Sequence, residues 1–209
     1  FDGANATPMS YAKNIYLNGK KVVSVAVPQG VTSLKYTFYG FKDLTQVTLP
    51  EGMTSIDQSA FSGCSSLTSI TIPDSVTSIG GSAFSGCNSL TSITIGSGVT
   101  SIGGSAFYGC NNLWNVFLTD MDAWCRITFA QITSTPMWEA NNIFLKGELI
   151  TSVTMPQGIT TVQNYAFYGF KNLASVTIPD GVTSVGEQAF YNCSSLTSIT
   201  VPGSLTSIE

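Results

Sequence analysis

The chain contains no histidine. That removes the commonest general base and the commonest zinc ligand together. Charge is also scarce: Asp, Glu, Lys and Arg make up only 10% of 209 residues, against the usual quarter. Ser and Thr supply most of the polar character instead. The net charge is −4 and no basic run occurs, so neither nucleic acid nor an anionic membrane is expected as a partner. No apolar run approaches the roughly 20 residues that a membrane helix needs. No signal peptide is present, although the chain starts in mid-pattern, which leaves room for a targeting segment upstream. Five cysteines occur, an odd number, without a C-x-x-C pair. This is not a disulfide framework. No cofactor motif and no metal-ligand set is legible.

What the chain does have is repetition. Residues Ser62–Gly104 state one phrase twice, SGCSSLTSITIPDSVTSIGGSAF and then SGCNSLTSITIGSGVTSIGG. Phe38, Phe61, Phe84 and Phe107 lie 23 residues apart, as do Phe167 and Phe190, and Leu44, Leu67, Leu90 and Leu113 keep the same step. A fixed period in the low twenties predicts coils stacked into a solenoid. Within one coil, Leu67–Ile72 alternates and predicts a short strand with Ile70 and Ile72 inward. Pro73 ends it. Val76–Ile79 forms a second extended apolar pair, and Gly80-Gly81 a turn. Ala83, Phe84 and Cys87 then share a helical spacing, which predicts one helical or 3-10 turn. Neighbouring coils pair their strands in parallel, with Phe on Phe as an aromatic spine.

A longer duplication overlies the short one. Phe1–Glu51 matches Phe129–Asp180 at an offset of 128 that slips to 129 between Pro28 and Phe38. Each copy is an irregular island followed by regular coils. Four segments result: the end of an island over 1–20, repeats over 21–119, a second island over 120–147 and repeats over 148–209. Ile15–Leu17, Asn18-Gly19 and Val22–Val27 predict a hairpin, repeated at Ile143–Leu145, Lys146-Gly147 and Leu149–Thr154. Asp120–Arg126 predicts a short helix capped by Asp120, Ile127–Phe129 a strand, and Ala130–Asn142 a loop. Neither end carries a capping repeat, so a longer parent protein is expected.

The pattern L-x-x-I-x-I-P-x-x-V-T-S-I-G-x-x-A-F-x-x-C-x-x-L, as in Leu67–Leu90, resembles the BspA-like class of bacterial leucine-rich repeats over about three quarters of the chain. The resemblance implies a leucine-rich-repeat solenoid of the α/β class, β-dominated and right-handed, with parallel strands, short helical or 3-10 turns and 23-residue coils. It also implies a secreted or cell-surface protein used for adhesion or host interaction, without catalysis.

Other constellations have plain structural readings. Cys64, Cys87 and Cys110 sit one coil apart, and Phe41 and Phe170 fill the same slot in other coils. A slot that takes Phe is hydrophobic, so these thiols are expected to pack in the core. Gly80-Gly81-Ser82 and Gly96-Ser97-Gly98 lack any phosphate-loop pattern and are turns. Ser10–Lys13 fits S-x-x-K without its companion motifs. Asn5–Thr7 and Asn192–Ser194 are sequons. Glu51, Asp74 and Asp180 follow the strand-ending prolines as solvated turn residues.

The aromatics carry the functional signal. Tyr39, Tyr108, Tyr168 and Tyr191 follow a spine Phe directly, where Ser62 and Ser85 stand in other coils. A row of half-exposed tyrosines suits a protein or glycan partner. Trp114 and Phe117 replace the outward Thr68 and Thr71, marking either a binding patch or a seat for the second island. These six are the candidate ligand-binding residues. The expected protein is a monomeric, non-catalytic binder of an extracellular protein or glycan. The alternative is a structural spacer or self-assembling module of a larger surface protein.

Overall fold

The computed structural model describes residues 15–209. The Ser10–Lys13 motif and the Asn5–Thr7 sequon lie outside the described residues. The chain forms a solenoid of parallel strands in two rows. Row one contains β3 (Ser24–Ala26), β5 (Gln46–Thr48), β7 (Ser69–Thr71), β9 (Ser92–Ile95), β11 (Asn115–Leu118) and β13 (Asn142–Leu145), then β15 (Ser152–Thr154), β17 (Ser175–Thr177) and β19 (Ser198–Thr200). Row two contains β4 (Ser33–Leu34), β6 (Ser55–Ile56), β8 (Ser78–Ile79), β10 (Ser101–Ile102) and β12 (Thr128–Phe129), then β16 (Thr161–Val162), β18 (Ser184–Val185) and β20 (Ser207–Ile208). Strand partners step by 23, as in Ile70 with Ile93 and Ile56 with Ile79. The first step is 22, Leu34 pairing with Ile56, which places the one-residue slip between Leu34 and Tyr36.

The core follows the repeat. Ile70, Ile72, Val76 and Ile79 are buried. The spine rings of Phe38, Phe61, Phe84 and Phe107 stack with centroids 5.1, 5.3 and 5.4 Å apart. Phe167 and Phe190 form a second stack at 5.3 Å. The turn before the next strand has i→i+3 bonds, Ser85 N–H to Ser82 O (3.1 Å) and Cys87 N–H to Phe84 O (3.1 Å). It cannot run on as a helix, because Ser82 and Gly86 both take left-handed backbone, with φ of 54° and 74°. Gly81 lies in the turn as its sequence suggests, and Ser82 takes the left-handed backbone that follows. Gly80 serves a different need: a Cβ there would sit 2.6 Å from the Asp57 carbonyl carbon of the preceding coil.

Two sets of side chains fasten coil to coil. The Cys64, Cys87, Cys110 and Cys193 thiols each donate to the carbonyl of the preceding spine residue, Phe38, Phe61, Phe84 and Phe167, at 3.0–3.2 Å. All five cysteines are free thiols. Burial pushes the Cys64, Cys110 and Cys125 thiols up to about 12 and Cys193 to about 11, so they behave as small core residues. The threonines act as staples. Thr54, Thr77 and Thr100 hydroxyls donate to the carbonyls of Thr32, Thr54 and Thr77 at 3.0–3.1 Å. Thr45, Thr68 and Thr91 do the same on the other row. A hydroxyl that reaches a carbonyl one coil away adds about 0.5–1.5 kcal/mol.

The second island departs less from the solenoid than its sequence does. Its helix α1 (Met121–Trp124) is capped as expected, Asp120 Oδ1 accepting from Ala123 N–H at 2.7 Å. Its β12 pairs in parallel with β10, and β13 pairs in parallel with β11, Asn115 opposite Asn142. The island is therefore one enlarged coil with a step of 27. The segment read as a loop contains two 3-10 turns, Ile132–Ser134 and Pro136–Trp138. Both hairpins form, but their second strands are short. β1 (Tyr16–Leu17) pairs with β2 (Lys20–Lys21), and β13 with β14 (Glu148–Leu149). Of the residues read as second strands, Val22 and Leu149-Ile150 bond back to the first strand, and the remainder turns away into β3 and β15. Lys146 adopts the left-handed backbone at φ 51°, as Asn18 does.

β14 occupies the edge of β13, and the solenoid changes register there. Among the described residues, no backbone hydrogen bond joins residues 15–149 to residues beyond 150, and both strand rows are interrupted. Side chains bridge the junction. In regular coils the spine Phe N–H donates to the alanine carbonyl of the next coil, as Phe84 does to Ala106 at 2.8 Å. At the junction the Trp124 indole N–H takes over this role, donating to Ala166 O at 2.8 Å. The indole is fully buried, 5.9 Å from Phe170 and 5.4 Å from Phe129 between centroids. Asn172 and Lys171 add bonds to Asn141 and Asn142.

Candidate functional site

The four tyrosines expected as one exposed row differ in environment. Tyr108 and Tyr191 are 58% and 61% exposed, whereas Tyr168 is only 6% exposed. Tyr39 is half-buried, edge-on to Tyr36. Tyr168 is covered on both sides. It stacks on Tyr191 at 5.6 Å and on Trp138 at 5.8 Å. Burial, and then the neighbouring Tyr191, raise its phenol above the ordinary tyrosine value. Trp138 was invisible to the repeat arithmetic, because it belongs to the enlarged coil and lies out of register. The Trp138–Tyr168–Tyr191 stack stands on the turn flank beside Gly169, whose Cβ position would lie 2.5 Å from Met137 O. Gly86 N–H donates to Tyr108 O at 2.9 Å, so Tyr108 sits on the same flank of an earlier coil.

Trp114 and Phe117 separate into two roles. Phe117 stacks on Phe144 of the island hairpin at 5.0 Å, so it is the seat for that segment. Trp114 is not a seat: it is 55% exposed. It stands where Thr45, Thr68 and Thr91 act as staples, and only its backbone N–H reaches Thr91 O, at 3.0 Å. Beside it runs an amide ladder. Asn142 Nδ2 donates to Asn115 Oδ1 at 3.1 Å, and Asn172 Nδ2 to Asn142 Oδ1 at 3.0 Å.

Surface hollows are shallow. Row one opens between β5 and β7, leaving a trough of about 360 Å³ lined by Gln46, Thr48, Glu51, Ser69 and Thr71. A second groove of about 260 Å³ lies at the junction beside Arg126, Thr160 and Gln163. Among the described residues no cluster of three acidic or cysteine side chains could hold a metal ion. No described helix is long and apolar enough to cross a membrane. Asp74 ties three coils together. Asp74 Oδ1 accepts from Ser97 N–H at 2.6 Å and from the Thr119 hydroxyl at 3.1 Å, linking its own coil to the two that follow. The Ser97 N–H is the main reason its carboxyl titrates below the ordinary range, against a smaller opposing effect of burial.

Comparison with known proteins places this architecture. The family model described as the BspA type leucine rich repeat region matches residues 11–134 and 140–209, in six copies. The pneumococcal vaccine antigen PcpA has a similar structure, with a TM-score of 0.52 and 19% identity over 88% of this chain and 51% of its own. That likeness speaks to the fold alone. A T. pallidum leucine-rich repeat protein is 25% identical over 87% of this chain and 74% of its own, with a TM-score of 0.42. A leucine-rich cell surface protein of Faecalibacterium prausnitzii is 26% identical over 86% of this chain and 59% of its own, with a TM-score of 0.36. The chain thus spans about half the length of PcpA and 59% of the Faecalibacterium protein. No curated protein matches it. With the repeat, the stacked coils and the matched residues in agreement, this chain belongs to the BspA-type leucine-rich repeat family.

Proposed function

We propose that this solenoid is a non-catalytic binding module displayed outside the cell, which holds a protein or glycan through its exposed aromatic side chains. The observation that carries this reading is the set of large rings left outside an otherwise well-filled repeat. Tyr108, Trp114 and Tyr191 are each more than half exposed, where Ser62 and Ser85, or Thr68 and Thr91, stand in regular coils. Aromatic residues with a polar handle dominate recognition surfaces. Phe117 supports the island and leaves this set. Trp138 joins it. The cell-surface protein and vaccine antigen among similar structures are consistent with an extracellular setting. The reading without catalysis rests on the missing histidine and the scattered carboxylates.

The test is binding of the whole chain to a panel of extracellular matrix proteins and immobilised glycans, with Tyr108→Ser and Tyr191→Ser beside the wild type. The expected result is at least one partner, whose binding both substitutions weaken without lowering the melting temperature. Absence of any partner, or binding indifferent to both rings, overturns the reading. Self-association that rises with concentration, in place of partner binding, favours a scaffold module.

A further inference from the structure

We propose that Trp114, together with the amide ladder of Asn115, Asn142 and Asn172, forms a subsite for a neutral oligosaccharide. This deepens the binding reading above and rests on it. The starting point is a large exposed ring in a slot that elsewhere carries threonine or, at Ala174, a small residue. In the same slot of other coils, the Thr45, Thr68, Thr91 and Thr197 hydroxyls donate to the carbonyl of the preceding coil at 2.9–3.3 Å. Trp114 gives up that bond and leaves its indole more than half exposed. The neighbouring departure, Phe117, is compensated by its stack on Phe144. No ring stacks on Trp114 among the described residues. A local rule broken without compensation points to function.

The surroundings specify the ligand chemistry. Asn115 and Phe117 lie on the solvent side of β11, with the exposed Trp114 just ahead of it, while Val116 and Leu118 point into the core. The ladder fixes each amide from one side: Asn115 Oδ1 accepts from Asn142, and Asn142 Oδ1 accepts from Asn172. Asn115 Nδ2 keeps its donors free among the described residues. Lys171 Nζ is engaged by Asn141 Oδ1. The patch therefore offers a flat indole face, oriented amides and adjacent Ser and Thr hydroxyls, while the Lys171 ammonium beside it is half-buried and directed at Asn141 Oδ1. A pyranose ring has apolar C–H faces for an indole and hydroxyls for planar amides. An apolar helix or a charged peptide would leave the amides without purpose.

The deciding variant is Trp114→Thr, which installs the residue that other coils carry. It can restore the hydroxyl bond to Thr91 O, so the fold is expected to keep or raise its melting temperature. The probes are an array of neutral oligosaccharides (gluco-, manno-, galacto- and N-acetylglucosamine series), with sialylated and sulfated glycans as controls. Matrix proteins are added with and without enzymatic removal of their glycans. The expected result is binding to one neutral series, weakened at least tenfold by Trp114→Thr and several-fold by Asn115→Ala, with acidic glycans no better. The inference is overturned if no neutral glycan binds, if Trp114→Thr binds as wild type does, or if that variant loses stability, which makes Trp114 a packing residue. Binding to a deglycosylated protein alone also overturns it, yet leaves the broader binding reading standing.

Discussion

Replacing Trp124 isolates the junction between the two runs of coils. Elsewhere each coil is held to the next by strand ladders, turn bonds and stacked core residues. Across the junction the described hydrogen bonds are made by side chains alone, from Trp124, Lys171 and Asn172. Trp124→Phe keeps a ring and removes the N–H, leaving Ala166 O buried without its donor, which costs about 1–3 kcal/mol. Trp124→Ala also removes a fully buried ring, for about 3–5 kcal/mol. In a chain of this size each kcal/mol moves the melting temperature by about 2–4 °C, so the alanine variant is expected to melt about 6–20 °C lower. The sharper readout is native-state hydrogen exchange. Protection is expected to fall in residues 150–209, which depend on the junction, while residues 69–104 keep theirs. Equal loss of protection in both runs would refute the reasoning, because the solenoid would then open as one unit. So would a phenylalanine variant that exchanges as wild type does.

Other expectations follow from single contacts. Asp74→Ala should make the acid limb of the stability profile shallower. The folded pKa of Asp74 lies below its unfolded value, so its contribution is present above the unfolded value, about 3.9, and is lost as pH falls through the folded one. Thermal melts should therefore show a gap between wild type and variant at pH 7 that closes in strong acid; a gap independent of pH contradicts this. Gly98→Ala should be more damaging than Gly181→Ala. A Cβ at Gly98 would lie 2.0 Å from Asp74 O and 2.9 Å from Val76 O, whereas at Gly181 it meets nothing within 4 Å. Denaturant titration is expected to show a cost of about 3 kcal/mol, the upper end of ordinary overpacking, against about 1 kcal/mol for the left-handed Gly181. The buried thiols should resist maleimide labelling at pH 8 in the folded protein, with Cys193, the least buried, reacting first; mass spectrometry after timed labelling reads the order.

The regular coils were legible because identical residues recur at identical depth. Ile70, Ile93 and Val116 had to face the core, and the Phe and Cys ladders had to stack. The Asn18-Gly19 turn and the Asp120 cap were legible for local reasons, since backbone sign and side-chain reach fix them within a few residues. Three things were not. The enlarged coil keeps its place in both rows, but its step of 27 conceals this from any search at 23. Trp124 replaces a backbone donor with an indole, a substitution between chemically unlike groups that no alignment of repeats displays. Trp138 completes an aromatic stack from outside the register. The threonines were read as an outward ladder, and their lateral hydroxyl bonds appear only once the preceding coil is in place. Among the candidate binding residues, the shared repeat position of the four tyrosines was legible, but their differing burial was not. Tyr168 has two aromatic neighbours, one of them unforeseen, whereas Tyr108 has none among the described residues.

The most direct test of the functional account is a hydrogen-exchange footprint of the whole chain bound to the partner found in the panel. Protection confined to the segments around Tyr108, Trp114, Trp138 and Tyr191 is the expected result. Protection confined to the second strand row, with those segments exchanging as in the free protein, would contradict it.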